Sequence, residues 1–473
     1  MPLILGTNSI KETSYDVANS CRFNDGSSDH LVWNSSPSGN RQKFTFSIWF
    51  KRATLGNTQV LASASYSSGD EGYLYISSGD TLEWDSTNSG DGDMFSSIKL
   101  RDTSSWYHLV WAVDTTQSTA GNRMKFYLNG TQMTTWSTET QPNLNQQIYW
   151  NVGGTYYPYI GRRHGGDYFD GYMAEIVQID DQQLDASSFG EFDSDTPTVW
   201  KPKDLEDLTF GGNTSYYLDF EDSSSLGNDV SGNNHDFTAQ NLTSIDQSTD
   251  TCTNNFATLN SLDMNESTGR TFSEGNLTYT SDSSNASSAR GTFGVNSGKW
   301  YYEVKIVSQS GSASSNGKFG TFGFTDIAEY SDPATNGLTI ISDGRLRGQG
   351  STGSVVGSPP LWGVGDILMF ALDLDNQNLY MGKNGSWRTS AGAFSHSSPT
   401  DTIYTSIDTS KFWTPFGQKN VSANNTLSYS MNFGSPAFSI SSGNADGEGF
   451  GNFEYAVPSN YFSLNTKNLA EFG

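Results

Sequence analysis

The stretch from Trp106 to Gly130 constrains the fold more than any other part of the sequence. Its first run, WYHLVWAV, is apolar or aromatic on both faces of the strand that it predicts, so both faces need to be covered. A second run, MKFYL, alternates apolar and polar residues and leads to Asn129-Gly130. Asn-Gly supplies the positive φ angles of a tight hairpin turn. The stretch therefore predicts two strands of a β-sandwich, with a third strand directly after the turn.

The composition favours an all-β protein throughout the chain. The 473 residues include 13% aromatic side chains and 49 glycines, and only 16% are charged. We expect two or three domains, because a single hydrophobic core does not grow to this size. The aromatic content argues against disorder. Frequent Gly, Ser, Thr and Asn between short apolar runs predict strands joined by turns.

Charge and hydropathy exclude several classes of partner. The formal charge of −25 repels phosphate backbones, so we expect no nucleic-acid partner. The opening MPLILGTNSI has no basic segment before its short apolar run, and no stretch approaches about 18 apolar residues. We therefore expect neither a signal peptide nor membrane insertion. Cys21 and Cys252 are far apart in sequence, and whether they pair stays open.

Strand-like runs at regular spacing predict a first sandwich over residues 19–243, preceded by an N-terminal arm over residues 1–18. The run FTFSIWFKR alternates, with apolar residues from Phe44 to Phe50 on one face. An earlier run predicts a hairpin with its turn near Asp25.

The segment YFDGYMAEIVQIDDQQLDASSF resembles the end of a laminin-G domain, in which a strand is followed by a short helix. Asp185 is expected to cap that helix, which begins near Ala186. The resemblance implies a concanavalin-like jelly roll for the first domain.

A linker over residues 244–252 is predicted to lead into a second domain over 253–445, followed by a tail over 446–473. The runs GKWYYEVKI, FGTFGFTD, WGVGDILMFALDLDNQNLYMGKNGSW and NFGSPAF occur in the order seen in SPRY (B30.2) domains, which this region resembles. The hairpin turn expected at Asn384-Gly385 agrees with that resemblance. The predicted fold is all-β, with two antiparallel β-sandwiches in tandem, the first laminin-G-like and the second SPRY-like.

Aromatic and arginine residues of the first domain form the candidate ligand face. Exposed aromatic rings pack against the C–H faces of sugars, and nearby polar groups bind the hydroxyls. The candidates are Trp136, Tyr149, Trp150, Tyr156, Tyr157, Tyr159, Arg162 and Arg163. The alternative is an ordinary alternation of core and surface rings.

No cofactor is certain from the sequence, and calcium is the one that the laminin-G resemblance suggests. Calcium takes oxygen ligands from Asp, Asn and backbone carbonyls in loops. The candidate ligands are Asp167, Asp170, Asp229, Asn233 and Asn234. The alternative is that these residues only form turns.

No catalytic motif stands out, so we expect a protein that is not an enzyme. The nearest match to the E-x-D-x-(x)-E motif of concanavalin-like glycosidases is at residues 191–195, and it lacks the second Glu. A phosphate-binding loop and a G-x-S-x-G motif are absent from the sequence. His108 alternates with core residues and is predicted to be structural. In the enzyme alternative, Glu175 and Glu191 are the residues to test.

The tandem arrangement and the MPLILGTNSI opening resemble structural proteins of tailed phages, especially marine ones. The resemblance implies a non-enzymatic virion protein, such as a tail fibre, a tail-attached subunit or a capsid decoration or adhesion subunit. Such a protein is made in the host cytoplasm and released by lysis. Its expected partners are other virion proteins, a host cell-surface glycan and further copies of itself. The alternatives are a polysaccharide-degrading enzyme on the concanavalin-like sandwich and a cellular SPRY-type peptide-binding adaptor.

Overall fold

The computed structural model describes Ile4 and residues 15–67, 69–263, 269–282, 287–310, 320–329, 336–348, 361–419 and 426–473. Within these ranges the chain forms antiparallel β-sheets and one short α-helix, which confirms the predicted all-β fold class. The chain divides into two compact units. We call residues 13–254 the N-terminal unit, and residues 255–473 together with 1–12 the C-terminal unit.

The N-terminal unit is built from short strands that form two large sheets. The strands are β1 (Ser20–Phe23), β2 (His30–Val32), β3 (Lys43–Arg52), β4 (Gln59–Ser67), β5 (Asp70–Ile76), β6 (Thr81–Ser86), β7 (Asp93–Lys99), β8 (Tyr107–Asp114), β9 (Met124–Leu128), β10 (Thr131–Gln132), β11 (Trp136–Thr140), β12 (Tyr157–Ile160), β13 (Gly171–Asp180), β14 (Gly190–Phe192), β15 (Trp200–Pro202), β16 (Tyr216–Leu218), β17 (Thr238–Gln240) and β18 (Gln247–Ser248). Short 3-10 helices span Asp25–Ser27, Ala120–Asn122, Ala186–Ser188 and Ser244–Asp246.

Sheet I has the strand order β10-β9-β8-β3-β13-β1-β18, with β16 also paired to β13. Sheet II has the order β11-β7-β6-β5-β4-β12-β2-β17, and β14 and β15 form a separate hairpin. The two large sheets pack face to face, and the ring centroids of Trp111 in sheet I and Trp84 in sheet II lie 4.4 Å apart. The apolar residues of β3 from Phe44 to Phe50 are buried in this core, as their alternation predicted.

Strand β8 is central, as the sequence predicted. It lies between β3 and β9, and its inner side chains contribute to the core between the sheets. Its outer residue Val110 is covered by a second cluster that includes Ala186 and Leu205. The turn after β9 is also confirmed, because Asn129 and Gly130 have φ angles of 47° and 78° and lead directly into β10. Covering both faces of one sheet explains why this run is apolar on both sides.

Three predicted features of this unit differ in the structure. The hairpin near Asp25 is wrong, because β1 joins sheet I while β2 joins sheet II, so the turn carries the chain from one sheet to the other. The stretch 244–252 is part of the unit rather than a linker, because β18 pairs with β1. Residues 15–18 of the predicted arm also belong to the unit, since the N–H of Val17 donates to Thr253 Oγ1 at 3.0 Å. A sequence pattern identifies a strand, but it does not identify the sheet that the strand joins.

The C-terminal unit is a second sandwich, and its sheets are mainly antiparallel. Its strands are β19 (Arg270–Ser273), β20 (Thr278–Ser281), β21 (Ser287–Arg290), β22 (Lys299–Ser310), β23 (Gly320–Asp326), β24 (Leu338–Ile341), β25 (Leu346–Arg347), β26 (Ile367–Asp373), β27 (Asn378–Lys383), β28 (Ser386–Arg388), β29 (Phe394–His396), β30 (Trp413–Lys419), β31 (Thr426–Asn432) and β32 (Phe462–Ser463), and its helix is α1 (Thr466–Phe472). Sheet III has the order β19-β20-β31-β22-β26-β27-β28-β29, and sheet IV the order β21-β30-β23-β24-β25.

The predicted tail, residues 446–473, is integrated into the C-terminal unit. Strand β32 pairs in parallel with β22, and Phe453 packs on Tyr301 with ring centroids 5.1 Å apart. The buried carboxylate of Glu303 accepts a hydrogen bond of 2.9 Å from the N–H of Tyr455. The described helices include none that is long and apolar enough to cross a bilayer.

Candidate functional site

The outer face of sheet II carries a row of tyrosines and carboxylates. Strand β5 alternates, so that Leu74 and Ile76 enter the core while Tyr73 and Tyr75 point outward, half-buried. Strand β6 alternates in the same way and presents its acidic residues outward. We call this set the tyrosine–carboxylate face: Tyr73, Tyr75, Glu83, Asp85 and Asp93.

Each tyrosine of this face is hydrogen-bonded to the carboxylate directly opposite on the next strand. The Tyr73 hydroxyl donates to Asp85 Oδ2 at 2.9 Å, and the Tyr75 hydroxyl donates to Glu83 Oε2 at 2.6 Å. The two rings lie 4.8 Å apart between centroids. Burial, together with these carboxylates, raises the pKa of both tyrosines above the ordinary value, so the hydroxyls remain neutral donors.

Strand β7 extends the face. The pairing of β6 with β7 places Phe95 opposite Glu83 and Met94 opposite Trp84, and Asp93, the residue before Met94, lies near Asp85. Burial, followed by the charge of Asp85, raises the pKa of Asp93 above its ordinary value. The face therefore alternates aromatic rings with carboxylates across three adjacent strands, which provides both apolar contact area and hydrogen-bond acceptors.

Several predicted ligand residues lie beside this face. Tyr157 and Tyr159 are in β12, and Tyr159 is opposite Ser63 of β4, which in turn is opposite Tyr73. Arg163 lies over the Tyr73 ring, with its guanidinium carbon 4.7 Å from the ring centroid. The structure thus brings these predicted residues together with tyrosines that the prediction did not include.

Arg162 and two further predicted tyrosines occupy the margin of the same sheet. The Arg162 guanidinium carbon lies 5.1 Å from the Tyr159 ring centroid. Tyr149 and Tyr156 pack together with ring centroids 5.8 Å apart, and Tyr156 also contacts Tyr66, which is 50% exposed. The Tyr149 hydroxyl donates to Asp70 at 3.4 Å, which places this group at the start of β5.

The two predicted tryptophans do not present exposed rings on this face. Trp150 is only 5% exposed, stacks on Phe44 in the core, and donates from its indole to Gln178 Oε1 at 3.2 Å. Trp136 is in β11, an edge strand of sheet II that is separated from β12 by four strands, and it packs edge-on against core residue Phe126. Both rings fill space between the two sheets, where close packing requires large side chains.

Sequence reasoning missed Tyr73, Tyr75, Glu83 and Asp85. The runs EGYLYI and TLEWDS were predicted only as strands. Their alternation already held the signal, because the tyrosines of the first run and the carboxylates of the second alternate with apolar residues. Two such runs joined by a short turn place their outward residues side by side.

The predicted calcium ligands are already engaged by protein groups. The Asp229 carboxylate accepts hydrogen bonds from the N–H groups of Tyr217 at 2.9 Å, Ser231 at 3.0 Å and His235 at 2.8 Å. The Asn233 amide donates to two backbone carbonyls, both at 3.0 Å. These bonds stabilise the loop itself, so this half of the predicted site does not fit a calcium ion.

The other predicted ligands are likewise bonded within the chain. Arg163 Nε donates to Asp167 Oδ2 at 2.6 Å, and the Thr54 hydroxyl donates to Asp170. Asn234 has a φ angle of +57°, which is typical of Asn in a turn. Among the described residues, no group of three or more His, Cys, Asp or Glu side chains is arranged to hold a metal ion. The turn alternative accounts for this set better than calcium does.

The carboxylates of the enzyme alternative are held by separate partners. Glu175 accepts hydrogen bonds from Tyr217 at 2.7 Å and from Tyr15 at 3.2 Å. Glu191 lies on the surface hairpin, with an oxygen 3.5 Å from the amino group of Lys201. These contacts pair each carboxylate with groups of its own unit.

His108 is a satisfied structural residue, as predicted. The Trp200 indole donates to its Nδ1 atom at 2.9 Å, so its Nε2 atom carries the proton and donates to Ser47 Oγ at 2.9 Å. Burial lowers the pKa of His108 to about 3, which keeps the ring neutral.

Residues 25–188 match the family model of the concanavalin A-like lectin/glucanases superfamily. The matched segment contains the whole tyrosine–carboxylate face. It is therefore similar to a laminin-G-type domain, as its closing motif indicated. No curated protein matches the chain.

Several solved structures are similar to parts of the chain. The SPRY domain of human HERC1 is 16% identical, with 33% of this chain and 87% of that chain covered and a TM-score of 0.26. A native heptameric SAP-like pentraxin from Limulus polyphemus is 19% identical, with coverages of 36% and 80% and a TM-score of 0.27. Domain 4 of AbnA, a GH43 extracellular arabinanase from Geobacillus stearothermophilus solved in complex with arabinotriose, is 19% identical, with coverages of 32% and 65% and a TM-score of 0.24.

Proposed function

We propose that the N-terminal unit binds carbohydrate through the tyrosine–carboxylate face. The observation that carries the proposal is the pairing of Tyr73 with Asp85 and of Tyr75 with Glu83 on the outer face of sheet II. The two adjacent half-buried rings, tilted by 39° to each other, provide apolar contact area for the C–H face of a sugar ring. Carboxylates beside them accept hydrogen bonds from sugar hydroxyls, and bonds to charged acceptors are the stronger kind.

The charge of the face indicates the class of sugar. Glu83, Asp85 and Asp93 lie together on adjacent strands, and the charge of the whole chain is −25. A glycan that carries carboxylate or sulfate groups would be repelled at this face. We therefore expect neutral oligosaccharides to bind in preference to acidic ones.

A glycan array followed by calorimetry tests this proposal. The double variant Tyr73→Ala/Tyr75→Ala is expected to weaken binding of the selected oligosaccharide by at least about tenfold, because buried aromatic contacts dominate such interfaces. Leu144→Ala is the matched control, since Leu144 is an exposed apolar residue of the same unit that lies outside the face. If the double variant binds the oligosaccharide as tightly as wild type does, the tyrosine–carboxylate face is not the binding site.

We further propose that the chain is a non-enzymatic virion protein of a tailed phage, in which this domain adheres to a host glycan. The support is the sequence resemblance described above, together with a binding face on a concanavalin-like domain. Mass spectrometry and electron cryo-microscopy of purified virions test this role. Density at an exposed position with the face outward supports attachment, whereas absence from the virion would overturn the role without affecting carbohydrate binding.

An enzyme is the second candidate, and one observation favours it. Burial, followed by the nearby charge of Asp85, raises the pKa of Asp93, and glycoside hydrolysis requires a pair of neighbouring carboxyl groups. Product analysis after incubation with the oligosaccharides bound on the array distinguishes the two functions. Hydrolysis that disappears in Asp93→Asn would replace the binding proposal with a catalytic one.

A further inference from the structure

A groove of about 410 Å³ lies on the outer side of sheet I, on the opposite face of the N-terminal unit from the tyrosine–carboxylate face. The groove forms where the β14–β15 hairpin folds over β9. The groove is lined by three aromatic and three charged residues, among others: Tyr127, Phe192, Trp200, Asp185, Glu191 and Lys203. Its volume is within the range of small-ligand sites.

The ring of Trp200 is held in one orientation. Its indole N–H donates to His108, and the two rings are stacked with centroids 5.9 Å apart and an interplanar angle of 19°. Gly130 and Gly190 approach the ring so closely that a Cβ atom would come within 2.2 Å and 2.6 Å of it, respectively. Glycine at both positions lets the backbone support the ring, so a ligand that stacks on Trp200 does not have to order it first.

Phe192 forms a second wall at a steep angle to the first. It is directly opposite Trp200 in the β14–β15 hairpin, with ring centroids 4.9 Å apart and an interplanar angle of 70°. It is nevertheless 46% exposed, which is unusual for a phenylalanine in a well-packed unit. The two rings leave an apolar corner open to solvent.

The polar lining of the groove includes positive and negative charges, and it includes both hydrogen-bond donors and acceptors. Asp185 and Glu191 offer acceptors in addition to the contacts that they already make with Ser187 and Lys201, and Lys203 offers a donor. Asp185 and Glu191 are exposed at the groove, and Lys203 is partly exposed. A ligand with neutral hydroxyl groups can use donors and acceptors together, whereas a purely apolar ligand would leave them unpaired.

We propose that this groove is a second saccharide-binding site, in which a neutral sugar unit packs into the corner between Trp200 and Phe192 and its hydroxyls bond to Asp185, Glu191 and Lys203. The inference extends the proposed carbohydrate binding, but it does not depend on the tyrosine–carboxylate face. Two sites on opposite faces would let one N-terminal unit contact two glycan chains at once and gain avidity from both.

The full chain is tested on an array of neutral oligosaccharides (glucans, xylans, mannans and N-acetylglucosamine oligomers). Calorimetry then measures the affinity and stoichiometry of each oligosaccharide that binds. Phe192→Ala should weaken the binding of at least one of these oligosaccharides by about tenfold, which is the effect of losing one aromatic contact. The double variant Tyr73→Ala/Tyr75→Ala should leave that same oligosaccharide unaffected. Lys203→Ala is a second groove variant, and Leu144→Ala is the control.

The outcomes separate the two sites. Loss of binding in the groove variants alone supports the groove and counts against the tyrosine–carboxylate face. Loss in Tyr73→Ala/Tyr75→Ala alone, with Phe192→Ala and Lys203→Ala like wild type, overturns the groove and leaves the proposed function standing. A wild-type chain that retains no oligosaccharide, or a groove that binds only peptide, also overturns the inference.

Discussion

The hydroxyl of Tyr217 donates a hydrogen bond of 2.7 Å to Oε2 of Glu175, a carboxylate that is only 4% exposed. Tyr15 donates to the same oxygen at 3.2 Å. Glu175 lies in a bulge of β13 and has a φ angle of +48°, which is uncommon for a residue with a side chain. Burial raises the pKa of Glu175 to about 7, against the smaller and opposite effect of the two tyrosine hydroxyls. Two neutral hydroxyls compensate the lost hydration of this carboxylate only in part.

Glu175→Gln is expected to stabilise the protein above pH 7. The folded-state pKa of Glu175 lies above its ordinary value of 4.5. The contribution of this group to the free energy of unfolding is therefore fully present below pH 4.5 and is lost as the pH rises to about 7. The full loss is about 3 kcal/mol. Thermal unfolding between pH 5 and pH 8 should show a shallower decline in the variant than in wild type.

The control for this experiment is Glu139→Gln, because Glu139 is an exposed carboxylate in β11. It should keep the wild-type profile. If Glu175→Gln unfolds with the same pH dependence as wild type, the Glu175 carboxylate is not the group that titrates.

His108 predicts the opposite pH dependence. Its folded-state pKa of about 3 lies below the ordinary value of 6.5. The contribution of His108 to the free energy of unfolding is therefore present above pH 6.5 and is lost as the pH falls towards 3. The loss reaches about 4 kcal/mol, because a charged ring cannot accept the Trp200 hydrogen bond while it is buried. The measurement is the difference in unfolding free energy between wild type and His108→Gln across this range. A difference that stays constant with pH would contradict the prediction.

Trp150→Ala is expected to destabilise the N-terminal unit by about 4 kcal/mol, because a large buried ring is lost from a packed core. Tyr157→Ala, at a half-buried position on the outer face of sheet II, serves as the comparison and should cost far less. Chemical denaturation provides both values. If Trp150→Ala unfolds like wild type and yet loses oligosaccharide binding, the ring belongs to a binding site and not to the core.

Calcium is expected to leave the stability unchanged. The Asp229 carboxylate is occupied by N–H donors of its own loop, and Asp167 is paired with Arg163. Thermal unfolding with millimolar calcium and with a chelator should give the same midpoint, because a ligand stabilises only the state that it binds. A midpoint that rises with calcium concentration would restore the predicted site.

Local patterns were sufficient for the strands and turns. The alternation in β3, the doubly apolar β8 and the Asn129-Gly130 turn each have a local cause, so each could be predicted from neighbouring residues. The short helix capped by Asp185 is another such case, since the Asp185 side chain accepts the N–H of Ser187 at 3.0 Å.

The candidate sites were predicted less well, because they depend on which strands become neighbours. Tyr73 meets Asp85 only through the β5–β6 register, and Phe192 meets Trp200 only because two short strands pair across a loop. Trp150 shows the reverse error, since an aromatic residue in a polar loop has the same sequence pattern whether it points outward or fills the core.

By itself, the sequence determined that this chain is an all-β protein, where most of its strands and tight turns lie, and that its first domain resembles a laminin-G domain, in agreement with the family match over residues 25–188. These properties follow from side-chain periodicity and turn chemistry, which act over a few residues. The tertiary structure alone decided that β1 and β2 belong to different sheets, that both predicted tryptophans pack inward, and that rings and carboxylates alternate on the outside of sheet II. These properties depend on contacts between residues far apart in the chain, where the competition for space in the core decides which side chains remain on the surface.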